Sequence, residues 1–245
     1  MNRLELLGVA GLPEVRPGDD LGALISARVT LRTGDVVVVA QKIVSKAEGR
    51  LVDIRTVTAG AEATRIAARL LAAPDPRIVQ VVLDESVRVL RSERVLITET
   101  RHGFVCANGG VDHSNVPGDH MVSLLPLDPD ASATTLRNRL FELTGFEVGV
   151  IVADTFGRPW RLGILNVALG VAGLPAIQDL RGALDDAGKA LHATVLAFAD
   201  EIAAAAGLVM GKTNRAPVVI ARGLEWSGAG SGRDLIRPAA EDLFR

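Results

Sequence analysis

The chain of 245 residues contains no tyrosine, a single cysteine and an aromatic fraction of only 3%. One cysteine, Cys106, excludes intramolecular disulfides and zinc sites built from several thiolates. Few aromatic side chains leave few platforms on which nucleic-acid bases stack. The formal net charge of −2 also lacks the basic excess typical of nucleic-acid-binding proteins. We therefore expect neither a disulfide scaffold nor a nucleic-acid partner.

Long apolar runs are also missing from the sequence. No stretch reaches the roughly 18 consecutive apolar residues that a membrane helix requires. The most apolar segment, 192–210, carries Asp200 and Glu201 in its middle. The apolar patch at 6–12 is short and lacks the basic region and cleavage-like site of a secretory signal. These features predict a cytoplasmic protein with no membrane partner.

Apolar segments of strand and helix type alternate along the chain, which predicts a mixed α/β fold of the α+β class. The run Val36–Val39 is typical of a buried strand, predicted over 35–44. Other predicted strands are 4–9, 95–98, 148–153 and 217–221, and predicted helices are 20–29, 61–73, 75–90, 130–143 and an Ala-rich helix that ends near Gly207. Because no linker or repeat is evident, we treat residues 1–245 as a single unit, leaving open two lobes within it.

The first candidate site follows the apolar strand predicted at 148–153. Asp154 and Thr155 come directly after it, and Arg158 and Arg161 lie in the loop predicted beyond them. In open α/β sheets, ligands bind beyond the carboxyl ends of strands. A carboxylate and a hydroxyl there suit Mg²⁺ or Mn²⁺, and guanidinium groups suit phosphate or carboxylate oxygens. The alternative is an aspartate that caps a turn, beside two solvated arginines.

The second candidate is the segment GGVDHSN, residues 109–115. Its glycines allow a close approach of the backbone to a ligand, Asp112 offers a hard oxygen, and Asn115 offers both a donor and an acceptor. The alternative is a tight surface turn, since these are turn residues. Two aspartates on separate loops would suit the metal clamp used in phosphoryl transfer.

Two further segments carry lysines near a predicted strand or helix end. Lys42 and Lys46 follow the valine run, where they could neutralise a polyphosphate or simply be exposed charges. Residues 207–213 resemble a phosphate-binding P-loop, but only three residues separate the glycines where four are needed, and a helix precedes them instead of a strand. A glycine that ends a helix is the simpler interpretation of this segment.

A zinc site is a weaker alternative. His102, His113 and His120 fall within one irregular segment, but their spacing matches no standard zinc motif. We expect Cys106, between Val105 and Ala107, to pack in an apolar setting instead of acting as a nucleophile.

Several segments, taken together and in order, resemble the coenzyme F420:L-glutamate ligase family. They are GLPEVRPGDDL, GDVVVVAQKIVSKAEGRLV, CANGGVDHSN, ADTFGRPWR, ADEIAAAAGLVMGK and RDLIRPAAEDLFR, and they extend from Gly11 to Arg245. The combination of GGVDHSN with ADTFGRPWR makes the resemblance specific. It implies the mixed α/β fold of that family, an intertwined homodimer, and a free-standing ligase without a second domain.

The resemblance also implies a reaction. In this family GTP phosphorylates a carboxylate of the deazaflavin F420 precursor, and the amine of L-glutamate attacks the acyl phosphate to form an amide. Later glutamates are added through γ-links. A carboxylate acylates poorly until its oxygen becomes a phosphate leaving group, and divalent ions offset the charge gathered there. We therefore expect GTP, L-glutamate and the precursor as substrates, and two Mg²⁺ or Mn²⁺ ions.

Carried over residue by residue, the resemblance implies two kinds of contact. Metal contacts are expected at Asp112, Asp154 and Thr155. Nucleotide contacts are expected at Leu12, Pro13, Glu14, Val15, Gln41, Lys42, Lys46, Asn115, Met210, Gly211, Lys212 and Thr213. On chemical grounds we assign Arg158 and Arg161 to phosphate or to a substrate carboxylate.

Three departures from the family pattern leave alternatives open. Gln41 replaces a small hydroxyl residue, and Ile164, Leu165 and Asn166 replace Gln-Thr-Asp. Lys212 stands where many members offer an amide or carboxylate to a second metal, and a charged ammonium cannot ligate one. The alternatives are an amide ligase with another acceptor or amino acid, a metal-dependent phosphatase or nucleotide hydrolase, and a nucleotide-binding dimer without catalysis.

Overall fold

The computed structural model of the chain describes residues 3–242. Its largest sheet has five strands, which lie in the order β1 (Glu5–Gly8), β12 (Val218–Arg222), β2 (Val36–Ala40), β8 (Gly149–Arg158) and β9 (Arg161–Ala172). Strands β2 and β8 run parallel, whereas the other neighbouring pairs are antiparallel. The observed mixture of helices and sheets agrees with the predicted α+β class.

Helices cover both faces of this sheet. On one face lie α1 (Leu21–Ser26) and α5 (Pro129–Thr144), and on the other lies α6 (Phe198–Met210). Val37 and Val39 pack toward α1 and α5, while the alternate valines of β2 pack toward α6. A strand covered on both faces is apolar at every position, which explains the uninterrupted valine run.

Besides the two cores on the faces of the large sheet, a third hydrophobic core lies apart from that sheet. It is built from α3 (Ala61–Ala67), α4 (Pro76–Asp84), the three-stranded sheet of β4 (Ser86–Glu93), β5 (Val95–Thr100) and β6 (Val105–Ala107), and the pair β3 (Leu51–Asp53) with β7 (Met121–Ser123). The remaining elements are α2 (Gln41–Ala47), β10 (Gln178–Asp179) and β11 (Val195–Leu196). The chain therefore has a core on each face of the large sheet and another outside it.

Several predicted boundaries are wrong. The strand predicted over 35–44 ends at Ala40 and continues as helix α2. The helix predicted over 75–90 ends at Asp84, where β4 begins two residues later. The loop predicted over 156–163 is a hairpin between β8 and β9. In the second and third cases pairing with a neighbouring strand decided the conformation, and local patterns do not report such pairing.

Two observations concern the ends and the surface of the chain. The last three residues of the segment RDLIRPAAEDLFR lie outside the described residues. Within 3–242, none of the helices has the length and apolarity needed to cross a bilayer.

Candidate functional site

A cleft of about 810 Å³ opens at the end of β2, where the parallel pairing of β2 with β8 stops. Ala40 pairs with Ala153, so the chain leaves the sheet at Gln41 on one strand and reaches Asp154 on the next. Every residue predicted for nucleotide or metal contact lies in the lining of this cleft: Leu12, Pro13, Glu14, Val15, Gln41, Lys42, Lys46, Asp112, Asn115, Asp154, Thr155, Met210, Gly211, Lys212 and Thr213. The fold thus brings together segments that are far apart in the sequence.

The two predicted arginines are placed elsewhere. Arg158 and Arg161 flank the turn of the β8–β9 hairpin and do not line the cleft. Arg158 Nη2 donates to the Leu162 carbonyl at 3.0 Å, and its buried Nε has no hydrogen-bond partner within residues 3–242. Arg161 is exposed. The structure of this chain therefore does not bring these side chains to the other predicted residues.

Helix α2 positions the first two lysines. Lys42 and Lys46 are four residues apart, so they lie on one helix face about 6 Å apart along the axis. Lys42 Nζ donates to Asp112 Oδ2 at 2.7 Å and to the hydroxyl of Ser114 at 2.8 Å. Lys46 is only 5% exposed and is paired with Glu14 from the loop after β1. A nearly buried lysine needs such a partner, and the pair fixes one wall of the cleft.

The neighbouring face of α2 accounts for the departure at Gln41. Its amide nitrogen donates to Ser45 Oγ at 2.6 Å and to the Leu124 carbonyl at 3.0 Å, and the residue is 2% exposed. Gln41 thus connects α2 to Leu124, the residue directly after β7. Although it borders the cleft, its amide donor is committed to the protein interior.

Asp112 is held by a short backbone ladder. Its N–H donates to the Ser123 carbonyl at 3.1 Å, and the Ser123 N–H returns a bond to Asp112 at 2.8 Å. Gly110 precedes it with φ of +72°, and a Cβ there would lie 2.6 Å from Leu125. Glycine is therefore required for packing at this position, and the tight turn aims Asp112 into the cleft.

Asp154 is the more perturbed of the two carboxylates. Burial raises the pKa of Asp154 to about 6, against the opposing effects of the Thr155 N–H and of the Lys212 and Lys42 charges. The negative charge of Asp112 also acts to raise this pKa, because the two carboxylates repel each other electrostatically across the cleft. Such mutual repulsion is relieved when a cation lies between two carboxylates.

Lys212 approaches Asp154 from the end of α6. The helix is closed by Gly211, whose φ is +54° and where a Cβ would lie 2.5 Å from the Asn214 amide. The turn directs Lys212 across to β8, where its Nζ donates to Thr155 Oγ1 at 2.7 Å. The interpretation of residues 207–213 as a helix end, and not a P-loop, is therefore confirmed.

Sequence reasoning overlooked other residues of the lining. Ser114 bonds Lys42, Asn166 pairs with Thr155 across the β8–β9 hairpin, and Arg215 adds a further cation. Ser114 lies inside the GGVDHSN segment, so this motif could have identified it as a residue of the site. Asn166 was named only as a departure from the family pattern, because its place opposite Thr155 depends on the register of the hairpin.

The alternative zinc site finds no support within residues 3–242, where no group of three histidine, cysteine or acidic side chains is arranged to hold a metal. The ring of His102 is bonded through Nε2 to the Pro126 carbonyl at 2.9 Å and stacks on Phe104. Cys106 is 7% exposed, as expected, and burial raises the pKa of its thiol to about 12.

The donor set of the cleft suits one hard cation and an anionic ligand. Asp112 and Asp154 offer the carboxylate oxygens that Mg²⁺ and Mn²⁺ prefer, whereas Thr155 Oγ1 already accepts a hydrogen bond from Lys212. Lys42, Lys46 and Lys212 surround them with positive charge that suits phosphate oxygens. A second cavity of about 390 Å³, lined by Arg101, Arg233 and Arg237 among others, includes none of the residues predicted for nucleotide contact.

Comparison with known proteins identifies the family of the chain. The family described as F420-0:Gamma-glutamyl ligase matches residues 10–223. The coenzyme F420:L-glutamate ligase of Methanothermobacter thermautotrophicus is 44% identical over 99% of each chain. That of Methanopyrus kandleri is 43% identical over 100% of each chain. That of Archaeoglobus fulgidus is 44% identical over 99% of this chain and 97% of its own. The chain therefore belongs to the F420-0:gamma-glutamyl ligase family and is a ligase.

Proposed function

We propose that the protein uses GTP to join L-glutamate to the coenzyme F420 precursor through an acyl phosphate. One observation carries the proposal: residues predicted for nucleotide and for metal contact line a single cleft of about 810 Å³. This cleft lies beyond the carboxyl end of β2, where its parallel pairing with β8 stops, and ligands of α/β sheets collect at such positions.

The lysines account for the nucleotide part of the proposal. Lys42 and Lys46 face the cleft from α2, and Lys212 faces it from the end of α6. Ammonium groups at these positions offset the negative charge of a triphosphate and hold it in place. The loop containing Glu14, together with Asn115, would contact the rest of the nucleotide.

The aspartates account for the metal part of the proposal. Asp112 and Asp154 would hold Mg²⁺ or Mn²⁺, beside the hydroxyl of Thr155. The bound ion would supply charge neutralisation to the phosphates and so favour transfer of the terminal phosphoryl group. Transfer to the precursor carboxylate would create the acyl phosphate; attack by the glutamate amine would then form the amide and release phosphate.

The decisive experiment follows all products at once. The protein is incubated with GTP, Mg²⁺ or Mn²⁺, L-glutamate and the precursor, while phosphate release and acceptor mass are measured. We expect a mass gain of one glutamyl unit, or of several, with phosphate release that requires both acceptor and glutamate. Release without either co-substrate would show a nucleotide hydrolase, and nucleotide binding without product would show a non-catalytic protein.

One observation favours testing a second acceptor. Asn166 of β9 lines the cleft, and Ile164, two residues before it on the same strand, is 58% exposed. Assays with other carboxylate acceptors and other amino acids, in place of the precursor and glutamate, would reveal a related amide ligase.

We further propose that the protein forms a homodimer. The β8–β9 hairpin presents large apolar side chains to solvent, including Trp160 at 82% exposed and Leu162 at 99% exposed. Covering exposed apolar side chains at a hairpin tip with a second surface lowers the free energy of the system. A second copy of the chain is the partner that the family resemblance implies.

A further inference from the structure

Lys212 occupies the position beside Thr155 where a cation would otherwise be expected. Its Nζ lies 2.7 Å from Thr155 Oγ1, although 57 residues separate the two in sequence. The ammonium is therefore placed on the hydroxyl that the family resemblance assigns to a metal contact.

A charged ammonium carries hydrogen-bond donors and no lone pair, so Lys212 cannot be a metal ligand. The Thr155 hydroxyl oxygen already accepts a hydrogen bond from this ammonium. A divalent ion placed at this hydroxyl would be repelled by the ammonium and would lack a ligand on the α6 side. The residues at Thr155 thus do not fit a metal ion, in contrast to the two ions implied by the family resemblance.

Asp112 and Asp154 remain suited to one ion. Asp154 has no side-chain donor bonded to its carboxylate among residues 3–242, so its oxygens are available. Asp112 shares its Oδ2 with Lys42 at 2.7 Å, and its Oδ1 accepts the Ser114 N–H at 2.7 Å. The Lys42 ammonium lies at the end of a flexible side chain. It can therefore move from the Asp112 carboxylate to a phosphate oxygen when an ion binds.

We propose that this chain binds a single divalent ion between Asp112 and Asp154, and that the Lys212 ammonium held on Thr155 supplies the positive charge of a second ion. This inference rests on the proposed nucleotide and metal binding of the cleft. Lysine suits the role because its ammonium is a compact point charge on a long stem. A covalently attached charge also stays in the site at any metal concentration.

The test counts bound ions directly and does not depend on turnover. Free Mn²⁺ is measured by electron paramagnetic resonance during titration of the full chain saturated with β,γ-imido-GTP. We expect one Mn²⁺ per chain for the unaltered protein and for Lys212→Arg, which keeps the charge. We expect two for Lys212→Gln, which removes the charge and offers an amide oxygen. Lys212→Met, which removes the charge without adding an oxygen ligand, should bind one.

The outcomes separate this inference from the proposed function. Two Mn²⁺ ions bound to the unaltered protein, both lost in Asp154→Asn, would overturn the single-ion proposal and leave the proposed function intact. An unchanged count of one in Lys212→Gln would also overturn it. No Mn²⁺ binding by any variant would overturn the proposed metal site together with this inference. Melting temperatures within a few degrees of the unaltered protein would show that the variants are folded.

Discussion

The ammonium of Lys42 and the carboxylate of Asp112 are hydrogen-bonded at 2.7 Å across 70 residues of sequence. Burial acts to raise the pKa of Asp112, but the bonds from Lys42 and Ser114 outweigh it, so this pKa lies below its ordinary value. Asp112 is therefore charged at neutral pH. The residue predicted to contact phosphate and the residue predicted to contact metal are thus direct partners in the ligand-free fold.

Removing the Lys42 charge should weaken nucleotide binding. A charge-assisted hydrogen bond contributes about 1.5–3 kcal/mol, so Lys42→Met should raise the Kd for GDP at least about tenfold. Isothermal titration calorimetry with GDP and Mg²⁺ measures the change. Lys189→Met is the matched control, because Lys189 is exposed and lies outside the cleft. Equal affinity in both variants would exclude a phosphate contact for Lys42.

Neutralising Asp154 should nearly abolish ligase turnover while leaving the fold intact. Metal-borne charge stabilisation is worth several kcal/mol, so the loss of about 3 kcal/mol in Asp154→Asn corresponds to at least about 100-fold in rate. Phosphate release and acceptor mass report turnover, and circular dichroism reports the fold. Turnover close to that of the unaltered protein would remove Asp154 from the proposed metal site.

Asp200 provides a test of stability against pH. Burial raises the pKa of Asp200, against the opposing effect of the bond at 2.8 Å that its Oδ1 accepts from the Ala168 N–H. A raised pKa in the folded state favours folding below the ordinary pKa and loses that contribution as pH rises through the folded value. Asp200→Asn keeps an acceptor for Ala168 and carries no charge. It should therefore be at least as stable as the unaltered protein at pH 7, and this advantage should shrink toward pH 4.

Urea unfolding of Asp200→Asn at the two pH values measures the difference. Asp200→Ala is the control, because it leaves the Ala168 N–H without its acceptor and should be about 1 kcal/mol less stable than Asp200→Asn at both pH values. If Asp200→Asn were less stable at pH 7 than at pH 4, relative to the unaltered protein, the sign of the pKa shift would be wrong.

The thiol of Cys106 should be inert in the folded protein. Burial raises its pKa to about 12, which leaves almost no thiolate at pH 8, and thiolate is the reactive form. Ellman's reagent at pH 8 should label one thiol per chain in 6 M guanidinium and essentially none in buffer. Rapid labelling of the native protein would show that β6 opens or that the thiol is accessible.

The hairpin tip should control assembly. Leu162→Glu places a charge on the proposed dimer surface and should shift the protein toward monomer in size-exclusion chromatography with light scattering. Leu71→Glu is a matched control, because Leu71 is 70% exposed and lies outside the hairpin. A monomeric unaltered protein would disprove the homodimer, and a dimeric Leu162→Glu would place the interface elsewhere.

Much of the fold followed from local patterns. The valine run 36–39 and the segment 148–153 are strands as predicted, because a strand covered on both faces must be apolar throughout. The helix predicted over 20–29 is observed as α1, which Asp20 caps by accepting the Ala23 N–H at 3.0 Å and which ends earlier, at Ser26. The hairpin at 156–163 was missed because glycine, proline and arginine there resemble a loop, whereas antiparallel pairing with β9 keeps the backbone extended.

The sequence by itself determined the family, since motifs such as GGVDHSN and ADTFGRPWR identify it and the comparisons confirm it. It also determined which residues carry charge and which oxygen donors are present. Only the tertiary structure decided that Lys42 meets Asp112, that Lys212 meets Thr155, and that Arg158 lies away from the cleft. These contacts join residues that lie far apart in the sequence. Strand order and register set the distances between them, and local patterns encode neither.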